Sequence, residues 1–81
     1  MKYYEVPLRW TNNYFFMANP NDLGEGWASE ADLIHELAQE GFREIKKDQL
    51  PDQLVDNYGY SDIRVFADKN RTNFTATACK Y

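Results

Sequence analysis

One stretch of the chain recurs at the period of an α-helix, and it limits what the remainder can be. Between Glu30 and Glu40, Leu33, Ile34, Leu37 and Ala38 fall on one face with Ala31, the spacing of an amphipathic helix. Ser29 stands where an N-cap is needed, and Asp32, three residues on, is a weaker relative of the Glu that completes a capping box. Glu30 and Asp32 set negative charge at the positive end of the helix dipole. Gly41 suits the left-handed residue past the end, and Phe42 can reach back to Leu37 in a Schellman ending. A chain of 81 residues with one such helix must build the rest of its core from strands.

The flanking segments alternate. Tyr4, Val6, Leu8 and Trp10 interleave with Tyr3, Glu5, Pro7 and Arg9, the period of a half-buried strand. Thr11-Asn12-Asn13 reads as the turn of a hairpin that returns through Tyr14–Ala18, and Asn19-Pro20-Asn21-Asp22 stops it. A short strand is expected within 42–47 with Ile45 facing in. Pro51 at the first position of 51–56, which ends at Asp56, suits a short second helix. Residues 63–67 and 72–80 read as strands joined by a turn at Asp68–Arg71; Phe74, Ala76 and Ala78 share one side, Thr75, Thr77 and Cys79 the other. The order is β-β-α-β-(α)-β-β. It predicts an α+β fold over residues 1–81 as one domain, with a mostly antiparallel sheet of four to five strands under the main helix.

Composition narrows the function classes. A hydrophobic fraction of 43% and an aromatic fraction of 16%, with seven Gly and Pro in all, exclude a disordered or collagen-like chain. No apolar run approaches a membrane-spanning length. Alternating polar and apolar residues after Met1 give no secretory leader, so a cytoplasmic location is expected. Cys79 is the single cysteine and His35 the single histidine; neither has a neighbour at ligand spacing, so no metal and no cofactor is expected. No phosphate loop, nucleophile elbow or dinucleotide fingerprint is present. A loop from Asn19 to Glu30 echoes a calcium loop only faintly, with Asn first and Leu fifth. The expectation is a protein that is not an enzyme, with no catalytic residues.

Charge is the feature with functional content. Between Trp10 and Phe42 there is no Lys or Arg, while Asp22, Glu25, Glu30, Asp32, Glu36 and Glu40 supply six acids. The two flanks carry +1 each, and +1 − 6 + 1 gives the net −4 of the whole chain. Asp32, Glu36 and Glu40 follow at i, i+4 and i+8, where like charges cost a helix a few tenths of a kcal/mol. The bland reading is a solvated face that aids solubility. The sharper one is a negative patch that docks on a basic groove built for nucleic acid.

Aromatics add to it. Trp10, Phe16, Phe42, Phe66 and Phe74 are readily absorbed by a core. Trp27, Tyr58 and Tyr60, beside loop glycines, together with Tyr3 and Tyr81, are harder to bury, and Tyr and Trp are enriched in interface hot spots. In size, acidity and lack of catalytic motifs the chain resembles the inhibitors that phages and mobile elements use against bacterial defence, such as anti-CRISPR proteins. It also resembles bacterial immunity proteins. The resemblance is one of class, covers no motif and carries no residues across.

The function expected is therefore that of a small acidic inhibitor of an intracellular nucleic-acid-handling protein. Asp22, Glu25, Glu30, Asp32, Glu36 and Glu40 would meet the partner's basic site, and Trp27, Tyr58 and Tyr60 would anchor the contact. Direct nucleic-acid binding is disfavoured by the acidity, no membrane is implicated, and a homodimer is compatible. The alternative is an immunity or regulatory module that binds protein through its sheet and through Tyr58 and Tyr60.

Overall fold

The computed structural model describes residues 1–55 and 58–80; Asp56 and Tyr81, named above, lie outside them. Among the described residues, six strands and one α-helix follow in the order β1 (Lys2–Trp10), β2 (Tyr14–Met17), α1 (Glu30–Gln39), β3 (Arg43–Ile45), β4 (Gln53–Val55), β5 (Ser61–Ala67) and β6 (Phe74–Lys80). Two single turns of 3-10 helix, Pro20–Asp22 and Lys47–Gln49, sit in the connections. The strands form one sheet in the order β3-β5-β6-β1-β2-β4. Among the described residues only the β2–β4 pair is parallel.

The fold is α+β, and its sheet departs from expectation in two respects. It has six strands, not four to five, and it is mixed. The short second helix expected over 51–56 is replaced by β4. Leu50, 7% exposed, ties the chain to the core just ahead of Pro51. Gln53, Leu54 and Val55 then pair with Tyr14, Phe15 and Phe16. The helical turn in this connection comes earlier, at Lys47–Gln49, where Lys46 N–H donates to the Gln49 side chain at 2.8 Å.

Alternation along the strands sorts side chains onto two faces. On one, Val6, Phe15, Met17, Leu50, Tyr60, Val65, Ala76 and Ala78 form a buried cluster. Ile45 of β3 and Leu54 of β4 both pack against it, although these strands are the two edges of the sheet. The sheet therefore curls around its own core, and the edge strands are joined by the short 46–52 connection. Phe15 is the buried aromatic of the hairpin, whereas Phe16 points to the other face and is half-buried. Trp10, expected in the core, is 57% exposed. At the end of the hairpin its ring stacks on Phe15 with centroids 5.4 Å apart, and its indole N–H donates to the Asp52 carboxylate at 2.6 Å.

The helix covers the other face. It packs against β1 and β6, and its buried Leu33 and Leu37 are absent from the inner cluster. Arg64, which pairs with Thr77 and so shares its face, reaches Glu30 at the start of α1. Strand β6 is thus enclosed from both sides, with Thr75, Ala76, Thr77, Ala78 and Cys79 all at most 3% exposed. Among the described residues no helix is long and apolar enough to cross a membrane.

Among the described residues, this double enclosure leaves one buried side-chain polar atom without a hydrogen-bond partner, the Thr77 hydroxyl. A buried unsatisfied hydroxyl costs about 1–3 kcal/mol, and an apolar group of the same shape removes that penalty. Thr77→Val is therefore expected to stabilise the protein by about 1 kcal/mol, a rise in melting temperature of about 4–8 °C for a chain of this size. Thermal denaturation followed by circular dichroism checks it; an unchanged or lower midpoint contradicts it.

Candidate functional site

Helix α1 is held at both ends by the devices its sequence carries. The Ser29 hydroxyl accepts the Asp32 N–H at 3.3 Å. At the other end Phe42 N–H donates to Leu37 C=O at 2.9 Å and Gly41 N–H to Ala38 C=O at 3.1 Å, with Gly41 at φ +93°. This is the Schellman pattern, whose left-handed residue favours glycine. Arg43 finishes the cap by donating to Ala38 C=O at 3.1 Å and Phe42 C=O at 2.9 Å.

With Leu33 and Leu37 turned to the sheet, Asp32, Glu36 and Glu40 are exposed. Among the described residues no ion pair or hydrogen bond engages their carboxylates. Glu30 stands apart from them. Its carboxylate lies 3.1 Å from Arg64, which also approaches Glu44 at 3.8 Å. The six acids of the lysine-free segment are thus divided. One is neutralised from the C-terminal half, three form the outward helix row, and Asp22 and Glu25 are exposed in the preceding loop. Asp22 closes a 3-10 turn fixed by the Asn19 side chain, which accepts Asn21 N–H at 2.9 Å.

Trp27 is 38% exposed and firmly placed. Its backbone exchanges hydrogen bonds of 2.8 and 2.7 Å with Tyr3. Gly26 beside it has no room for a side chain, since a Cβ would sit 2.7 Å from Lys2 Cβ and 2.8 Å from the Tyr4 ring. The indole therefore stands two residues ahead of the Ser29 cap.

The tyrosines flanking Gly59 separate. Tyr58 is 37% exposed, but Tyr60 is 6% exposed and belongs to the core cluster. The Tyr60 hydroxyl donates to Ala18 C=O at 2.8 Å, Lys80 Nζ lies 5.6 Å from its ring centroid, and Tyr58 packs edge-on at 6.4 Å. The exposed anchoring role expected of Tyr60 is corrected accordingly; Gly59, at φ +71°, turns the chain between the two rings.

Concavities were not read from the sequence, and two of them adjoin residues discussed above. One, of about 460 Å³, is lined by residues including Arg9, Phe16, Asp22 and Tyr58. The other, of about 730 Å³, is an open groove lined by Glu44–Gln49 and Ile63–Val65. It runs beside a bulge in β5, where Asp62 takes φ +53° and the local twist increases. His35 is exposed, with Gln39 Nε2 3.1 Å from its own Nε2, and Cys79 is fully buried. Among the described residues no group of three His, Cys, Asp or Glu side chains is placed to hold a metal ion. Compared with protein-family models, curated proteins and solved structures, the chain matches none.

Two predictions come from these contacts. Tyr60→Phe removes the bond to Ala18 and should cost about 1 kcal/mol, measured by urea denaturation; no loss would mean the bond contributes nothing. The second concerns Asp68 in the β5–β6 turn. The Asn73 side-chain amide, then the Thr72 N–H and hydroxyl, hold its carboxyl well below the ordinary 3.8, at about 2. A depressed folded-state value means that stabilisation by the ionised form is present above pH 3.8 and is lost as the pH falls through about 2. An NMR titration of the Asp68 carboxyl should show that low midpoint, and Asn73→Ala should move it upward.

Proposed function

We propose that this protein is a non-enzymatic acidic binding protein. Its helix α1 docks on a lysine- and arginine-rich site of an intracellular nucleic-acid-handling protein and keeps nucleic acid out of it. The observation that carries this reading is the row Asp32, Glu36 and Glu40, exposed on one helix with no counter-charge engaging it among the described residues.

Carboxylates spaced along a rigid helix offer a basic groove what a phosphate backbone offers it, fixed negative charge at regular intervals. The row is poorly explained by stability. Glu36 and Glu40 lie toward the C-terminal end of α1, whose last turn contains no basic residue, and negative charge there opposes the helix dipole. Glu30 contributes least, because Arg64 already satisfies it. Trp27, held by Tyr3 near the start of the helix, supplies apolar area of the kind that anchors interfaces. Phage inhibitors of bacterial defence are the class this reading favours.

The test separates binding from folding. Glu36→Lys with Glu40→Lys makes the contact with Asp32 attractive, leaves a like-charge contact between positions 36 and 40, and complements the dipole, so the fold should hold or gain a few tenths of a kcal/mol. Capture of a basic, nucleic-acid-handling protein from bacterial lysate should succeed with the wild-type chain at low salt, weaken steeply as salt is raised, and fail with the double variant. Capture that survives both high salt and the reversal would sink the acidic-face mechanism.

A further inference from the structure

Helix α1 covers only part of the outer face of the sheet. It packs mainly against β1 and β6, and on the side of β2 and β4 Arg9 and Tyr14 are exposed and Phe16 and Val55 half-buried. There Arg9 stands opposite Phe16, and Phe16 opposite Val55, so the three side chains share one face across three strands. Tyr14, two residues from Phe16 and therefore on the same face, is 40% exposed, with ring centroids 6.0 Å apart. The concavity of about 460 Å³ opens beside them, with Tyr58 and Asp22 in its lining. Arg9 and Asp22 are both exposed, and among the described residues neither the guanidinium nor the carboxylate is engaged in an ion pair.

We propose that this face binds a second copy of the chain across a two-fold axis. A two-fold interface is isologous, so the patch must complement itself. An aromatic centre flanked by one cation and one anion meets that demand. Arg9 of one copy faces Asp22 of the other, and the symmetry operation makes the reciprocal pair. Charge complementarity selects this occupant over others. A strongly basic partner would meet Arg9 unfavourably, and an acidic one would meet Asp22 unfavourably; a second copy satisfies both. Aromatic and arginine side chains are also those enriched at interface centres. The contact is independent of the helix row, because Asp32, Glu36 and Glu40 take no part in it.

Sedimentation velocity from micromolar to millimolar protein tests this. The wild-type chain should pass from its 9.5 kDa monomer to twice that mass. Arg9→Asp and Asp22→Arg should each weaken self-association by about tenfold or more, a loss within the range measured for close interfacial charge pairs. Neither site is buried, and far-ultraviolet circular dichroism should show both variants folded.

The decisive sample is an equimolar mixture of the two variants. There the new carboxylate at position 9 of one chain meets the new guanidinium at position 22 of the other, and the native pair of opposite sign forms at the second contact. The mixture should dimerise with near wild-type affinity although neither variant does so alone. Glu36→Lys with Glu40→Lys should leave self-association unchanged. A wild-type chain that stays monomeric at millimolar concentration overturns the proposal and would leave the face to a different partner. A single variant that dimerises as well as wild type, or a mixture no better than either variant alone, overturns it equally.

Discussion

Strand β6 is the member on which the rest of the structure leans. It lies inside the sheet between β5 and β1, and both its faces are closed, one by the curled interior and one by α1. That double closure needs small side chains. Ala76 and Ala78 allow the inner cluster to wrap closely, and Thr75, Thr77 and Cys79 allow the helix to lie against the strand. Larger residues on either face would force backbone shifts of the kind that cost about 1–3 kcal/mol in a well-packed core. The β-branched threonines keep the strand extended while presenting a low surface to Leu33 and Leu37. The Thr77 hydroxyl, left without a partner among the described residues, is the cost of using a polar residue for that purpose.

The curl of the sheet follows from where the chain must go after the helix. The Schellman ending turns it sharply at Gly41 into β3 on one edge, and within a few residues it reaches β4 on the other edge. Across a flat six-stranded sheet those edges would stand about 24 Å apart, a span this link could cross only fully extended; its 3-10 turn and buried Leu50 show that it is not. Leu50, buried in that link, fastens the connection to the same core that Ile45 and Leu54 touch. The three-residue length of both edge strands also keeps the edges unattractive to other strands.

What could be read from the sequence was whatever repeats for long enough. Helix α1 spans nearly three turns between a hydroxyl cap and a glycine, and β1, β5 and β6 alternate over seven to nine residues. Strand β4 has three residues, too few to show any period, and its parallel pairing with β2 joins segments about forty residues apart. Pro51 therefore spoke for a helix with nothing local to oppose it. The sequence divides β6 into a Phe-Ala side and a Thr-Cys side, and composition does not tell which of them a helix covers. Tyr58 and Tyr60 are equivalent in sequence, and only the turn at Gly59 and the carbonyl of Ala18 decide which of them is buried. Arg64 reaches Glu30 across thirty-four positions, so the loss of one acid from the patch had no local signal.

That loss sharpens the electrostatic argument. Arg64 is placed between Glu30 and Glu44, and an exposed pair of this kind is worth at most about 1 kcal/mol, but its effect on the field is larger than on stability. It removes negative charge from the N-terminal end of α1, where the dipole would have welcomed it, and leaves Asp32, Glu36 and Glu40 as the outward row. Arg43, the cation nearest the other end, donates to carbonyls of the last turn, which relieves the dipole without engaging the acids. Neighbouring charges in this row, about 5–6 Å apart, lie within one screening length of about 8 Å at physiological salt, so a cation approaching the middle of the row feels more than one of them. A surface kept acidic only for solubility gains nothing from that coherence. A surface that meets a basic groove gains an approach field and a register.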